Sequence, residues 1–376
     1  MQSKDTVSRR PLGSGGESPL VVAWWLFVFI GSMAISIFSQ QFLPSKFTYD
    51  AALIREYMAT RDLWIGLSLD SWVNTARVLT LVFGLLSEAL AIPLYFAFLL
   101  LLAVRVLDVF NVDKVRYHLL AGAWVVCCAL FLSQPSKELV ALPVALFLCL
   151  ARTPLARLAA AVVFLGYAAL FRQYWVICYF YFVCTLISLR LHVAGRPRLA
   201  LILFLLAFMV PFVAAQVAGQ PPLTEARMMV NVDRIDSPDA RSAFSNAFEN
   251  SGMWTDAANT VLAWLYMNIP LAMLLDTTPH YVFFALFQLA TLVLFSDGCA
   301  SYVKQARQLH DQGTTYPRCI AFVVAYSLTQ ALFEPDFGSF LRHEMILMVP
   351  ILIVVFYRAH SGRGAPIVDR SLRQAS

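Results

Sequence analysis

Three short polar stretches carry most of the side chains that could do chemistry beside apolar sequence. QPSKE (134–138) holds Lys137 and Glu138, FRQYW (171–175) holds Arg172, and FEPDFGSFLRHE (333–344) holds two glutamates, Asp336, Arg342 and His343. Asp50 in LPSKFTYDAALI, and Arg227 and Arg234 in ARMMVNVDRID, belong to the same set. Arginine grips phosphate with two parallel hydrogen bonds and keeps its charge where the dielectric is low. Histidine, with an ordinary pKa of about 6.5, suits a general base at neutral pH. The types therefore suggest Lys137, Arg172, Arg227, Arg234 and Arg342 as anion binders. His343 is the candidate general base among them, and Asp336, Glu138 and Asp50 are acids of the same set.

The elements that must position them are set by composition. The 376 residues are 60% hydrophobic and only 14% charged, with 29 Phe and 14 Tyr; a soluble domain carries about 25% charged residues. Residues 20–38, LVVAWWLFVFIGSMAISIF, run without a charge, long enough at about 1.5 Å per residue to cross a hydrocarbon core of about 30 Å. The chain reads as an all-α, polytopic membrane protein. The first run is too long for a signal-peptide core, and no clear small-residue cleavage site follows it.

Three pairs of later runs, 119–151, 158–189 and 319–357, are apolar except at SQPSKE, RQ and FEPDFGSFLRHE. One helix of 33 residues would be about 50 Å long, so each pair reads as two helices joined at a polar tip. Most of the Lys and Arg lie at the open ends of these hairpins and at the two termini: Arg105, Lys114 and Arg116; Arg152 and Arg157; Arg190, Arg196 and Arg198; Lys304, Arg307 and Arg318. The positive-inside rule puts those ends in the cytoplasm and the tips outside. Taking 78–104 as one tilted span and 258–275 as an interfacial or re-entrant piece gives ten crossings, in a range of nine to twelve, with both termini inside. The organisation is then a disordered cytoplasmic start (1–18), one transmembrane domain (19–358) with an outer loop (216–257), and a basic cytoplasmic tail (359–376).

Charges beside spans cost about 2.5–3.5 kcal/mol each at the bilayer centre, and those that are kept usually line a cavity or bind something. Cations gathered with a few acids on one face suit an anionic lipid-linked substrate. Each residue also has a plainer role: Lys137, Arg172 or Arg342 as an interfacial anchor, Asp50 as the cap of a helix beginning ALIREYM, Glu88 at the wet end of a broken helix. His118, His192 and His310 read as solvated cytoplasmic loop residues. The seven cysteines lie in or at the ends of apolar runs, with no spacing that suggests a disulfide or zinc. No Walker loop, GxGxxG, HExxH or GxSxG occurs. No cofactor, metal or nucleic-acid partner is expected.

LPSKFTYDAALI, QPSKE, FRQYW, ARMMVNVDRID with the later WLYMNIPLAMLL, and EPDFGSFLRHEMILMVP together resemble the polytopic polymerases of bacterial surface polysaccharides, the O-antigen polymerase type. The resemblance implies an inner-membrane enzyme acting on the periplasmic face. It would transfer a glycan from undecaprenyl diphosphate to the non-reducing end of another lipid-linked repeat unit, with a chain-length regulator as a possible partner. Arg172, Arg342 and Lys137 would bind diphosphate, Arg227 and Arg234 would close over donor or acceptor, and His343, Asp336, Glu138 or Asp50 would take the acceptor proton. Two other readings stand beside it. One is a membrane glycosyltransferase using a polyprenyl-phosphate sugar, with Asp50 as its catalytic acid. The other is a non-enzymatic transporter or flippase of lipid-linked glycans, which the nearly charge-free midplanes disfavour.

Overall fold

Apolar runs with their ends marked by proline and short polar caps fold as helices throughout the computed structural model. It describes residues 19–42, 45–60, 68, 70–83, 93–94, 97, 101, 114–232, 243–275, 279–309 and 315–361. The helices are α1 (Pro19–Phe42), α2 (Ser45–Ala59), α3 (Ser71–Phe83), α4 (Val115–Leu132) and α5 (Lys137–Leu150). Next come α6 (Pro154–Phe171), α7 (Trp175–Val193), α8 (Pro197–Val217), α9 (Glu225–Val232) and α10 (Met253–Asn268). The last are α11 (Leu271–Leu275), α12 (Pro279–Leu309), α13 (Thr315–Phe333), α14 (Phe337–Glu344) and α15 (Met348–Ser361). A single 3-10 turn, Met345–Leu347, joins α14 to α15. Residues 1–18, Glu88, Arg234, His310 and the tail beyond Ser361 lie outside the described residues.

Seven described stretches are long and apolar enough to cross a membrane: α1, α4, α6, α7, α8, α12 and the run Phe337–Tyr357 through α14 and α15. The outer helices expose large apolar side chains, among them Leu20 and Phe27 on α1, Leu155 and Leu158 on α6, and Leu201 and Leu206 on α8. In water such faces would be unsatisfied, whereas acyl chains match them. α13 and α15 form the centre. Nearly every residue of α13 is buried, as is each one from Met348 to Tyr357. α13 packs along α7 and α15, α12 along α15, α1 along α4, and α7 along α8.

Glycine allows two of these contacts. A Cβ on Gly298 of α12 would stand 2.3 Å from the Val354 carbonyl oxygen of α15, and one on Gly122 of α4 would stand 2.7 Å from the Trp24 ring of α1. At Gly298 the two backbones pack without a side chain between them, a common device between membrane helices, whereas Gly122 makes room for the Trp24 ring.

Several expectations change. His118 is not a solvated loop residue: α4 begins at Val115, ahead of the apolar run, and Tyr117 and His118 on its first turn are buried, so that Trp25 Nε1 of α1 donates to His118 Nδ1 at 3.1 Å. His192 likewise lies in the last turn of α7 rather than in a loop. Asp50 does not cap α2, which starts five residues earlier at Ser45. The final tip is shorter than FEPDFGSFLRHE. The Asp336 side chain accepts from Ser339 N at 2.8 Å and starts α14 at Phe337, so Arg342, His343 and Glu344 are helical. The run 258–275 divides into α10 and α11 at Ile269 and Pro270, because proline has no N–H for the helix to continue through.

Candidate functional site

The same local signals that end each helix bring three tips into one place. At the first, Ser136 caps α5, its hydroxyl accepting from Leu139 N at 3.4 Å, so Glu138 falls in the first turn and points into the bundle. At the second, Arg172 ends α6 and leads into α7. At the third, Glu334 follows α13 immediately and His343 lies in the last turn of α14. These tips are remote in sequence and adjacent in space.

Arg172 Nη2 bonds the Glu138 carboxylate and also lies 3.0 Å from His343 Nε2. His343 Nε2 is 2.9 Å from Glu138 Oε1, and its Nδ1 is 2.5 Å from Glu334 Oε1. Arg172 Nη1 donates to the Tyr174 hydroxyl at 3.0 Å, and Tyr326 OH donates to the His343 carbonyl at 3.3 Å. Arg172, Glu138, Glu334 and His343 are all buried. Buried charges at this density are kept only when each has partners.

The donor and acceptor roles follow from chemistry. A carboxylate only accepts, so Nδ1 of His343 carries a proton toward Glu334. Nε2 has a partner for either state: Arg172 can only donate to it when it is bare, and Glu138 can only accept from it when it is protonated. Burial pushes the Glu138 carboxyl up, but Arg172 and His343 outweigh that and hold it well below its usual value. The same contest, with His343 as the main opponent of burial, lowers Glu334.

Beside this cluster, Arg342 Nη1 meets Asp50 Oδ2 at 2.7 Å, and both side chains keep partial exposure, 22% and 24%. Arg342 Nη2 is 3.5 Å from His343 Nε2. The partly open Asp50–Arg342 pair therefore sits next to the closed one. Lys137 turns the other way: its ammonium donates to Ser71 Oγ at 2.8 Å and lies 3.3 Å from the centroid of the Trp72 ring. Burial and then Arg172 push it down to about 8.

Other expected site residues do structural work. Arg227 is fully buried; Nη1 donates to the Ala331 carbonyl at 2.9 Å and Nη2 to Asn246 Oδ1, so it fastens α9 and the stretch around Asn246 to α13. Asn231 joins the same seam, donating to the Phe244 and Pro335 carbonyls at 3.0 and 3.1 Å, and Ala243 bridges Asp336. Asp256 adds three more bonds, accepting from Leu223 N, Thr224 N and the Thr224 hydroxyl at 2.7, 3.0 and 2.6 Å. Asp336 is held in this seam as a helix cap.

Glu334, Tyr174 and Tyr326 were not singled out from sequence. Glu334 had a usable signal: it is the first charge after the apolar run of α13 and directly precedes a proline. No protein-family model, curated protein or solved structure matches this chain.

Proposed function

We propose that the chain is a polymerase of lipid-linked oligosaccharide repeat units on the periplasmic face of the bacterial inner membrane. Its frame in this reading is a bundle of ten crossings with both termini in the cytoplasm and the segment 216–257 outside. An acceptor hydroxyl attacks the anomeric carbon of a glycan carried on undecaprenyl diphosphate. The new C–O bond forms as the bond to the diphosphate breaks, the acceptor proton passes to His343 Nε2, and the diphosphate leaves with the electron pair.

One observation carries the reading: Nε2 of His343 has a standing donor in Arg172 and a standing acceptor in Glu138, so a partner is ready both before and after the proton arrives. Glu334 holds the ring from Nδ1, as an orienting carboxylate does for a histidine base. Arg342 is the partly exposed cation beside it and receives the leaving diphosphate, exchanging its bond to Asp50 for charge-assisted bonds to phosphate. Both Nη groups of Arg172 are already engaged, with Tyr174 and with Glu138 and His343, so in this reading it is a positioning residue and not a phosphate ligand.

The exposure of Asp50 at the edge of the cluster favours a second reading, a glycosyltransferase that takes one sugar from a polyprenyl phosphate with Asp50 as the catalytic acid. Deleting the gene and resolving surface polysaccharide by length tests the first: a ladder collapsing to a single repeat unit is expected, and loss of even that unit sinks it. Complementation separates the two. Asp50→Asn should keep elongation and His343→Ala lose it; the opposite pattern selects the glycosyltransferase.

A further inference from the structure

At the far end of α7 from Arg172, about 26 Å along the helix from Trp175 to His192 at about 1.5 Å per residue, a second feature has no part in the chemistry above. A cavity of about 600 Å³ opens between α7 and α12, lined by His192, Cys299, Ala300, Val303, Lys304 and Arg307. The five α12 residues form one stripe of that helix, since positions three, four and seven apart share a face. The stripe is apolar at Cys299, Ala300 and Val303 and basic at Lys304 and Arg307. No acid lines the cavity.

Arg307 is not a loose surface cation. Its Nη2 donates to the His192 carbonyl at 3.0 Å, tying α12 to the last turn of α7 between two residues that line the opening. That bond fixes the guanidinium while leaving its other N–H groups available, and exposed Lys304 stands one turn away on the same stripe. A point charge and a planar fork on one wall suit a phosphate group. The apolar half of the stripe has no use for a free ion. It suits the glycerol and first acyl carbons of a lipid.

We propose that this cavity binds the phosphate of an anionic phospholipid, with the headgroup on Lys304 and Arg307 and the upper acyl chain along Cys299, Ala300 and Val303. Basic pockets between helices at one membrane face are where such headgroups bind. The volume is within the range of small-ligand sites. The proposal does not rest on the polymerase reading.

The full chain is placed in nanodiscs of phosphatidylcholine alone or with phosphatidylglycerol, and bound lipid is counted by native mass spectrometry beside thermal unfolding. Retention of phosphatidylglycerol over phosphatidylcholine and a higher Tm are expected for the unsubstituted chain. Lys304→Gln, which leaves the Arg307–His192 bond intact, should weaken retention about fivefold, the effect of one cation near a lipid surface. Lys304→Gln with Arg307→Gln should abolish the preference. Equal retention of the two lipids, or a Lys304→Gln variant that behaves as the unsubstituted chain, overturns the site. Inorganic phosphate that reproduces the whole Tm gain in phosphatidylcholine discs overturns the lipid assignment and makes the ligand a soluble phosphate.

Discussion

His343 and Glu334 face each other at 2.5 Å between the imidazole Nδ1 and a carboxylate oxygen, across the turn that joins α13 to α14. The contact is local in sequence, nine residues, but it decides which nitrogen is offered elsewhere. With Nδ1 committed to Glu334, Nε2 is left to Arg172 and Glu138. On the proposed reading His343 is a general base, and a base held this way contributes about 10²–10⁴ in rate. We expect His343→Ala to reduce repeat-unit elongation by that order, read from the glycan ladder of a complemented deletion strain. Glu334→Gln keeps the shape and removes the charge, so a smaller loss with a shifted pH profile is expected. Full elongation by His343→Ala would remove it from the reaction.

The Glu138–Arg172 pair predicts an asymmetry in stability. Both side chains are nearly inaccessible, 2% and 6%, and removing one partner leaves the other charged and buried, at a cost of about 3–5 kcal/mol. Glu138→Leu should therefore lower the Tm in detergent sharply. Glu138→Leu combined with Arg172→Leu should recover a large part of it while leaving elongation absent. If the double variant is no more stable than Glu138→Leu, the buried charge is not the source of the loss.

Acid should unfold the site from this same place. Glu138 and Glu334 are both held below the ordinary 4.5 by their cationic neighbours, against burial. A carboxyl lowered in the folded state contributes stability that is complete above the unfolded value and is lost as pH falls through the folded one. The Tm should hold near pH 6 and fall progressively below about 4.5. The Glu138→Gln and Glu334→Gln double variant should begin lower and lose less over that interval. A parallel decline in both proteins would place the acid sensitivity elsewhere.

Gly298 tests the packing of α12 on α15. A methyl group there has to displace the Val354 carbonyl, whereas one at Gly31 of α1 meets nothing within 4 Å. Overpacking costs about 1–3 kcal/mol, while glycine to alanine in an open helix gains roughly 0.5–1 kcal/mol. Gly298→Ala should lower the Tm and Gly31→Ala should leave it equal or higher. Equal effects at the two positions would mean that α12 and α15 do not approach this closely.

By itself the sequence determined that the chain is helical and membrane-spanning, since hydropathy is a local sum and runs such as 20–38 and 199–215 carry it unaided. It also determined the three polar tips, because QPSKE, FRQYW and FEPDFGSFLRHE interrupt runs too long for one helix. Residue type alone pointed to Arg172, Glu138 and His343 as chemistry. Their meeting was decided only by the tertiary structure. Arg172 and His343 are 171 residues apart, and Arg172 and Glu138 are 34 apart. The helices that bring them together are apolar on nearly every side, so no 3.6-residue period says which face turns inward. Helix rotation and close approach, as at Gly298, settle that. The same physics separates residues that looked alike on paper. Arg227 and Asp336 hold backbone, Lys137 leans on Trp72, and Arg342 stays partly exposed beside the buried His343.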